Sequence, residues 1–314
     1  MSWKKLIQVH KEIVRRGEDD FFILYEKTKA SRSSSIKSFS IDSFSGPWKT
    51  NFESLNNINF FTSISINSLF LMLVLLFFSF FKISLVHVFY LIIFVYSILL
   101  FKILINQNKK INLKEMSLKL FFLLSLFCIF LNTSYQLELG WDGFDWKEKA
   151  NFFYNGGYLF DINKFTTTYQ NYPHLGTYIW AFFWKNSFLN YEYLGRLFYN
   201  YFYIVSIFSI ITSFKNFKNI KKIFLFIFIF ICTFDTGLGG YQEYLIFSIL
   251  SIFGASIIMH NNYKNNFLFY AVYLLSGVLL PWIKTEGIVY SIFLIITLLV
   301  YEYNFKKSKL YLKY

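Results

Sequence analysis

From residue 60 onward the chain alternates long apolar runs with short polar breaks. The runs cover residues 60–81, 83–105, 118–138, 194–214, 223–238, 242–259, 267–283 and 287–303. Most approach or exceed the ~20 residues that a helix needs to cross the hydrocarbon core. The pattern therefore predicts an all-α polytopic bundle of about eight transmembrane spans, with a large outward loop that contains interfacial helices. One apolar segment, Pro173–Trp184, has only twelve residues, roughly 18 Å as a helix. It reads as an interfacial or re-entrant helix with Pro173 in its first turn, and with Trp180 and Trp184 at the headgroup level. The first 58 residues follow another pattern. Trp3, Leu6, Ile7, His10, Ile13 and Val14 recur at helical spacing, with Lys4, Lys5, Lys11, Arg15 and Arg16 mostly opposite. That is a basic amphipathic helix suited to a cytoplasmic membrane surface, followed by a Ser-rich linker at 31–45. The predicted organisation is a tail and linker at 1–58, a transmembrane hairpin at 59–106 and a main module at 107–314.

Composition agrees with the pattern. Hydrophobic residues make up 55% of the chain and charged residues only 16%, too few to cover a soluble domain of 314 residues. The net charge of +13 raises nucleic acid as a partner, but the lysines lie in short breaks between apolar runs, which argues against it. Lys109, Lys110, Lys114 and Lys119 form one group, Lys215, Lys218, Lys221 and Lys222 another, and Lys306, Lys307, Lys309 and Lys313 a third. The positive-inside rule places these groups and both termini in the cytoplasm. The outward set is then 139–193, 239–242, 284–287 and the turn near Lys82. Cys128 and Cys232 lie inside apolar runs and read as small hydrophobes. The first long apolar run begins too far along the chain for a signal peptide.

The unusual polar residues fall in the outward set. The loop 139–193 opens Gly140-Trp141-Asp142-Gly143-Phe144-Asp145-Trp146 and later carries Lys149 and Tyr172-Pro173-His174-Leu175-Gly176. A carboxylate beside Trp and Gly at the mouth of a span is a candidate general base in a partly desolvated site. The plainer reading is a polar loop in which Asp145 caps a helix starting near Trp146. Two more outward ends hold Gly240-Tyr241-Gln242-Glu243 and Ile283-Lys284-Thr285-Glu286-Gly287. Ionisable groups close to membrane depth are costly, which makes them functional candidates, although Lys284 and Glu286 in interfacial water would explain the same letters.

The order of these pieces resembles the GT-C superfamily, membrane glycosyltransferases that use lipid-phosphate-linked sugars, and in particular bacterial relatives of the protein O-mannosyltransferases. The resemblance covers roughly residues 118–303. Trp141-Asp142, with Trp146, Lys149 and Ala150, stands where the family has an acidic motif after a span. Tyr172-Pro173-His174-Leu175-Gly176 is similar to a Pro-Pro-Leu-Gly motif, with His in place of the second Pro. Gln242-Glu243 stands for a second acidic site that usually carries Asp, and Lys284-Thr285-Glu286-Gly287 is similar to a Thr-Lys-x-Glu-Gly motif. A two-span hairpin and the tail precede the similar region. Family members usually continue beyond the eighth span, so the region reads as shortened at its C-terminus.

The resemblance implies an inverting glycosyltransferase of the bacterial inner membrane, with its active site on the periplasmic or extracellular face. It implies a polyprenyl-phosphate sugar as donor, membrane lipids around the bundle and an acceptor hydroxyl of unidentified kind. Asp142 is the expected catalytic base and Asp145 its substitute. Lys149, Arg196 and Lys284 are expected to bind the donor phosphate, His174 to assist, and Glu243 and Glu286 to orient these cations or the sugar. No cofactor or structural metal is expected; a loosely held divalent ion at Asp142 stays open. The alternatives are a polysaccharide polymerase, a lipid-linked sugar flippase and a non-catalytic membrane protein.

Overall fold

The structure is a computed structural model that describes residues 60–105, 113–135, 139, 141–159, 161, 172–233, 240–263 and 266–311. The tail and linker predicted over 1–58 lie outside the described residues. The described residues form ten α-helices: α1 Phe60–Phe80, α2 Leu85–Ile105, α3 Leu113–Tyr135, α4 Trp141–Tyr154, α5 Leu175–Lys185, α6 Tyr193–Ser213, α7 Asn219–Thr233, α8 Glu243–Tyr263, α9 Asn266–Ile283 and α10 Glu286–Tyr311.

The expected number of spans is corrected. Four of the described helices are long and apolar enough to cross a membrane: α1, α3 over Met116–Tyr135, α6, and α8 over Glu243–His260. Helices α2, α9 and α10 contribute shorter apolar stretches among the described residues, at Leu85–Ile98, Phe269–Ile283 and Glu286–Tyr301. Helix α7 has 15 residues. Apolar runs were therefore a poor count of spans, because a run also records burial against protein. In α9, for example, Val272, Leu279, Leu280 and Ile283 are buried inside the bundle. The protein is a multi-pass membrane helix bundle.

Helix α6 is its axis. It packs on α8, α5, α1, α3 and α7, and 78% of its apolar window is buried, against 22% for α3. An all-round apolar helix belongs in such a centre. With lipid outside, close packing and interhelical hydrogen bonds must supply much of the association. Small hydroxyl residues do so here. Ser65 on α1 shares a hydrogen bond with Ser209 on α6, and Asn200 on α6 donates to Thr133 Oγ1 on α3 at 2.7 Å. Ser213 Oγ reaches the Ala255 carbonyl of α8 at 3.4 Å.

The two ends of the bundle differ. At one end lie the start of α1 and the ends of α6 and α8. There Lys119 stands over the Phe60 ring, Asn219 binds Ser117 at 2.9 Å, and Lys215 and Lys218 are exposed. At the other end the turn after α1 meets the loops beside α4 and α5. Lys82 pairs with Asp161 at 3.3 Å, Asn186 approaches the Leu85 carbonyl, and Phe80 meets Trp282 at the end of α9. This second end holds the acidic and Gly-rich segments. Single cysteines at Asn155 and Lys218, in a background lacking Cys128 and Cys232, are expected to react with an impermeant thiol reagent from opposite sides of the membrane. Labelling of both from one side would show that the two ends do not face opposite compartments.

Two local expectations change as well. Residues 141–154 are one helix, so Asp142 and Asp145 sit inside α4; no cap at Asp145 precedes a helix starting near Trp146. Helix α5 starts after Pro173, with His174 at its N-cap, and is enclosed by the bundle instead of lying on its surface. All residues from Leu175 to Phe182 are buried, because α4, α6 and α2 enclose it. Trp180, expected at the headgroups, has no exposed surface.

Candidate functional site

Three polar groups occupy the acidic end, each built on a helix terminus. The first belongs to α4. Helical spacing puts positions 142, 145 and 149 on one face. Asp145 is half-buried and acts electrostatically on Lys149; the side chain of Asp142 lies outside the described residues. Lys149 is only 1% exposed. Its ammonium stands 4.6 Å from the Trp146 ring centroid and 5.9 Å from that of Tyr172, a cation–π setting that partly replaces lost hydration. Burial nevertheless pulls its pKa down to about 8, against the opposing charges of Asp145 and Glu148.

The sign of the resulting pH dependence follows. The unfolded chain keeps Lys149 near the ordinary ~10.4, so between about 8 and that value it binds more protons than the folded chain. Stability therefore rises with pH through this window. Lys149→Met is expected to abolish that part of the rise in a thermal melt measured from pH 7 to 10.5. An unchanged rise would mean that the amine is not desolvated.

The second group surrounds Trp180. Arg196, on the first turns of α6, is fully buried. Its Nε and Nη2 donate to the Glu192 carboxylate at 2.9 and 3.1 Å, the strong two-pronged form of this pair. The guanidinium carbon lies 6.0 Å from the Trp180 ring centroid. Close approach depends on glycine. A Cβ on Gly195 would strike the Trp180 ring and carbonyl, and one on Gly240 would strike the Trp180 ring. Gly240 also holds φ +80°, the left-handed region open to glycine. Gln242 is fully buried and fills the space left by the missing side chain of Gly176. Its Nε2 donates to Tyr199 Oη at 3.0 Å and to the Gly240 carbonyl at 3.3 Å. Among the described residues, Gln242 Oε1, Trp180 Nε1 and Tyr178 Oη have no hydrogen-bond partner.

The third group joins two segments far apart in sequence. Lys284, between α9 and α10, donates to Glu243 at the start of α8 and lies 3.6 Å from Glu286 at the start of α10. Partial burial lowers the Lys284 pKa, but the Glu243 hydrogen bond and the two carboxylate charges outweigh it and leave it raised. Burial of Glu286 works the other way, yet its own backbone N–H, Lys284 and Thr285 hold its pKa below the usual carboxylate value.

The groups are contiguous. His174 is buried, with its ring 6.3 Å from Phe153 on α4. Its carbonyl accepts from the Thr177 hydroxyl and the Tyr178 N–H, both at 2.9 Å. Thus α5 connects the Lys149 face of α4 to the Trp180 group. Gln242, bound within that group, adjoins Glu243 of the third. Sequence reasoning named Lys149, His174, Arg196, Glu243, Lys284 and Glu286, and the fold brings all six to one end. It overlooked Glu192, Trp180, Tyr199 and the role of Gln242. Glu192 had a signal, an acid four residues before an arginine at the edge of an apolar run. Among the described residues, no three His, Cys, Asp or Glu side chains gather to hold a metal ion. No protein-family model, curated protein or solved structure matches this chain.

Proposed function

We propose that the chain is a membrane glycosyltransferase that moves a sugar from a polyprenyl-phosphate donor to an acceptor hydroxyl at the acidic end of the bundle. The observation that carries this reading is the continuous tract of buried cations and aromatics just described. Four sequence segments, at 141–149, 172–180, 240–243 and 284–286, converge on it beside helix α6, and their order resembles GT-C enzymes. Burying Lys149 and Arg196 at one end of a membrane bundle is costly even with their partners, which makes them functional candidates.

In the reaction the acceptor oxygen attacks the anomeric carbon while the carbon–oxygen bond to the phosphate breaks. The acceptor proton passes to a carboxylate on α4, with Asp142 the first candidate and Asp145 the second. The leaving phosphate gains negative charge, which Lys149 and Arg196 are suited to stabilise. For Lys284 this reading favours a bracing part over the phosphate contact expected from sequence. With two carboxylates against one ammonium its group is net negative, so it braces α8 against α9 and α10, and Glu243 and Glu286 are left to accept from sugar hydroxyls. The donor's isoprenoid tail has a suitable groove of about 560 Å³, lined by α1, α2, α5 and α6, including Leu71, Phe183, Leu197 and Phe198. This volume lies within the usual range for ligand pockets. The bacterial cytoplasmic membrane, with the acidic end outside, is the setting consistent with the lysine-rich opposite end.

The test is transfer of labelled sugar from a set of polyprenyl-phosphate sugars by membranes that contain the chain. Product that depends on the chain and is lost in Lys149→Met and Arg196→Met variants of normal abundance supports the proposal. Absence of transfer across the donor set, with the chain correctly inserted, overturns it.

A further inference from the structure

The connection between α5 and α6 presents a cluster of exposed apolar side chains at the acidic end, Phe188 being the most exposed large apolar residue among those described. Phe188 is fully exposed, and Leu189 and Tyr191 are 64% and 55% exposed. Water-facing loops do not ordinarily hold such a group in a fixed shape. This loop is held firmly. Asn190 adopts φ 51°, a conformation that Asn tolerates better than most residues. Its side-chain oxygen accepts from Tyr154 Oη at 2.8 Å, which ties the loop to the end of α4. Ser187 closes onto the Trp184 carbonyl through both its N–H and its hydroxyl. The Tyr191 ring stacks on Tyr193 at 5.6 Å. Every one of these contacts fixes the turn and leaves Phe188 and Leu189 pointing away from the protein.

The position of the loop identifies what covers it. Asn186 approaches the Leu85 carbonyl at the first residue of α2, and Phe182 on α5 lies 6.0 Å from Phe89 on α2. From this junction the outer face of α2 continues with Tyr90, Leu91 and Phe94, all exposed. At the neighbouring end of α1, Phe77 and Phe81 are exposed as well. In a multi-pass membrane protein these outer faces are the lipid-facing surface, and the 188–191 loop extends that surface at the level where the helices end. Aromatic residues at that level suit the boundary between headgroups and acyl chains.

We propose that Phe188, Leu189 and Tyr191 form a lipid-docking tip that inserts into the bilayer interface and sets the depth of the buried tract. The tip ends the helix that carries Trp180 and begins the helix that carries Arg196, so its level in the membrane is transmitted to both over one or two turns. This inference requires only a membrane bundle and is independent of the transferase reading.

Nitroxide labels test it. A single cysteine replaces Phe188, or Leu189 in a second variant, in full-length protein lacking Cys128 and Cys232, reconstituted in lipid nanodiscs. A third label at Asn155 serves as the aqueous reference. Relaxation by oxygen, which partitions into lipid, is compared with relaxation by a water-soluble nickel chelate. The oxygen-to-nickel ratio is expected to be several-fold higher at 188 and 189 than at 155. Replacing Tyr154 by Phe is expected to increase label mobility at 188. A ratio at 188 and 189 equal to that at 155 overturns the proposal. Shielding of both sites from both reagents also overturns it, because it would mean that a second copy or another protein covers the tip.

Discussion

Asp142→Asn is expected to lower sugar transfer by about 10²–10⁴-fold, the usual loss for a general base, while abundance and melting temperature stay close to those of the parent. Asparagine keeps the size and polarity of the side chain but cannot take a proton. Asp142 belongs to the first turn of α4. Asp145 is one turn further in and bears on Lys149. Asp145→Asn removes a stabilising charge from a buried ammonium, so the Lys149 pKa is expected to fall below about 8. Transfer by this variant should decline mainly as pH is raised from 6 to 8, because Lys149 then loses its proton earlier. The two variants are thus separated by pH as well as by size of effect. A loss in Asp145→Asn that is pH-independent and as deep as that of Asp142→Asn would exchange the roles. Full activity in both would remove α4 as the source of the base.

How much of this was legible in the sequence differs from residue to residue. Arg196 was named only through the resemblance, as a phosphate ligand, and its pairing with Glu192 one turn earlier was not anticipated. The junction of Lys284 with Glu243 was anticipated only through the resemblance, in which Glu243 and Glu286 orient the cations or the sugar, since no local pattern links residues 41 positions apart. The enclosure of Trp180 by protein was not legible in the sequence, for a physical reason. A short helix rich in aromatics has the same letters whether it faces headgroups or protein, and only the glycines opposite it, Gly195 and Gly240, decide between the two. Asp145 was misassigned because Gly140 and Gly143 read as a loop, yet a glycine within the first turn costs only about 1 kcal/mol and α4 absorbs it. The number of spans failed in the same way as Trp180. Hydrophobic runs report removal from water, and in α9 that removal is achieved largely by packing on α8, α10 and α1.

Gly195→Ala and Trp180→Ala should both destabilise the bundle, by different mechanisms. Trp180 is wholly enclosed by Gly195, Gly240, Arg196 and Tyr199, so its truncation leaves a cavity. Large-to-small changes of this kind cost about 3–5 kcal/mol. It also strips the aromatic face from a buried guanidinium, so Arg196 has only Glu192 among its contacts described above. Gly195→Ala overfills the same place. Its new methyl meets the Trp180 carbonyl as well as the ring, and a carbonyl in a helix cannot rotate aside. Helices α5 and α6 must then separate, at a cost of about 1–3 kcal/mol. Gly254→Ala on α8 provides the control, because a Cβ there meets nothing within 4 Å. It should stabilise by roughly 0.5–1 kcal/mol through helix propensity alone. Gly240→Ala completes the set in a double-mutant cycle. Its clash is with the Trp180 ring only, so the Trp180→Ala background should relieve it and leave the residual strain of a positive φ, roughly 1–2 kcal/mol. The clash of Gly195→Ala with the carbonyl should persist in that background. Thermal melts in detergent, followed by size-exclusion chromatography, measure all of these. Equal melting temperatures for Gly195→Ala and Gly254→Ala would show that α5 does not press on α6, and the tract around Trp180 would lose its structural basis.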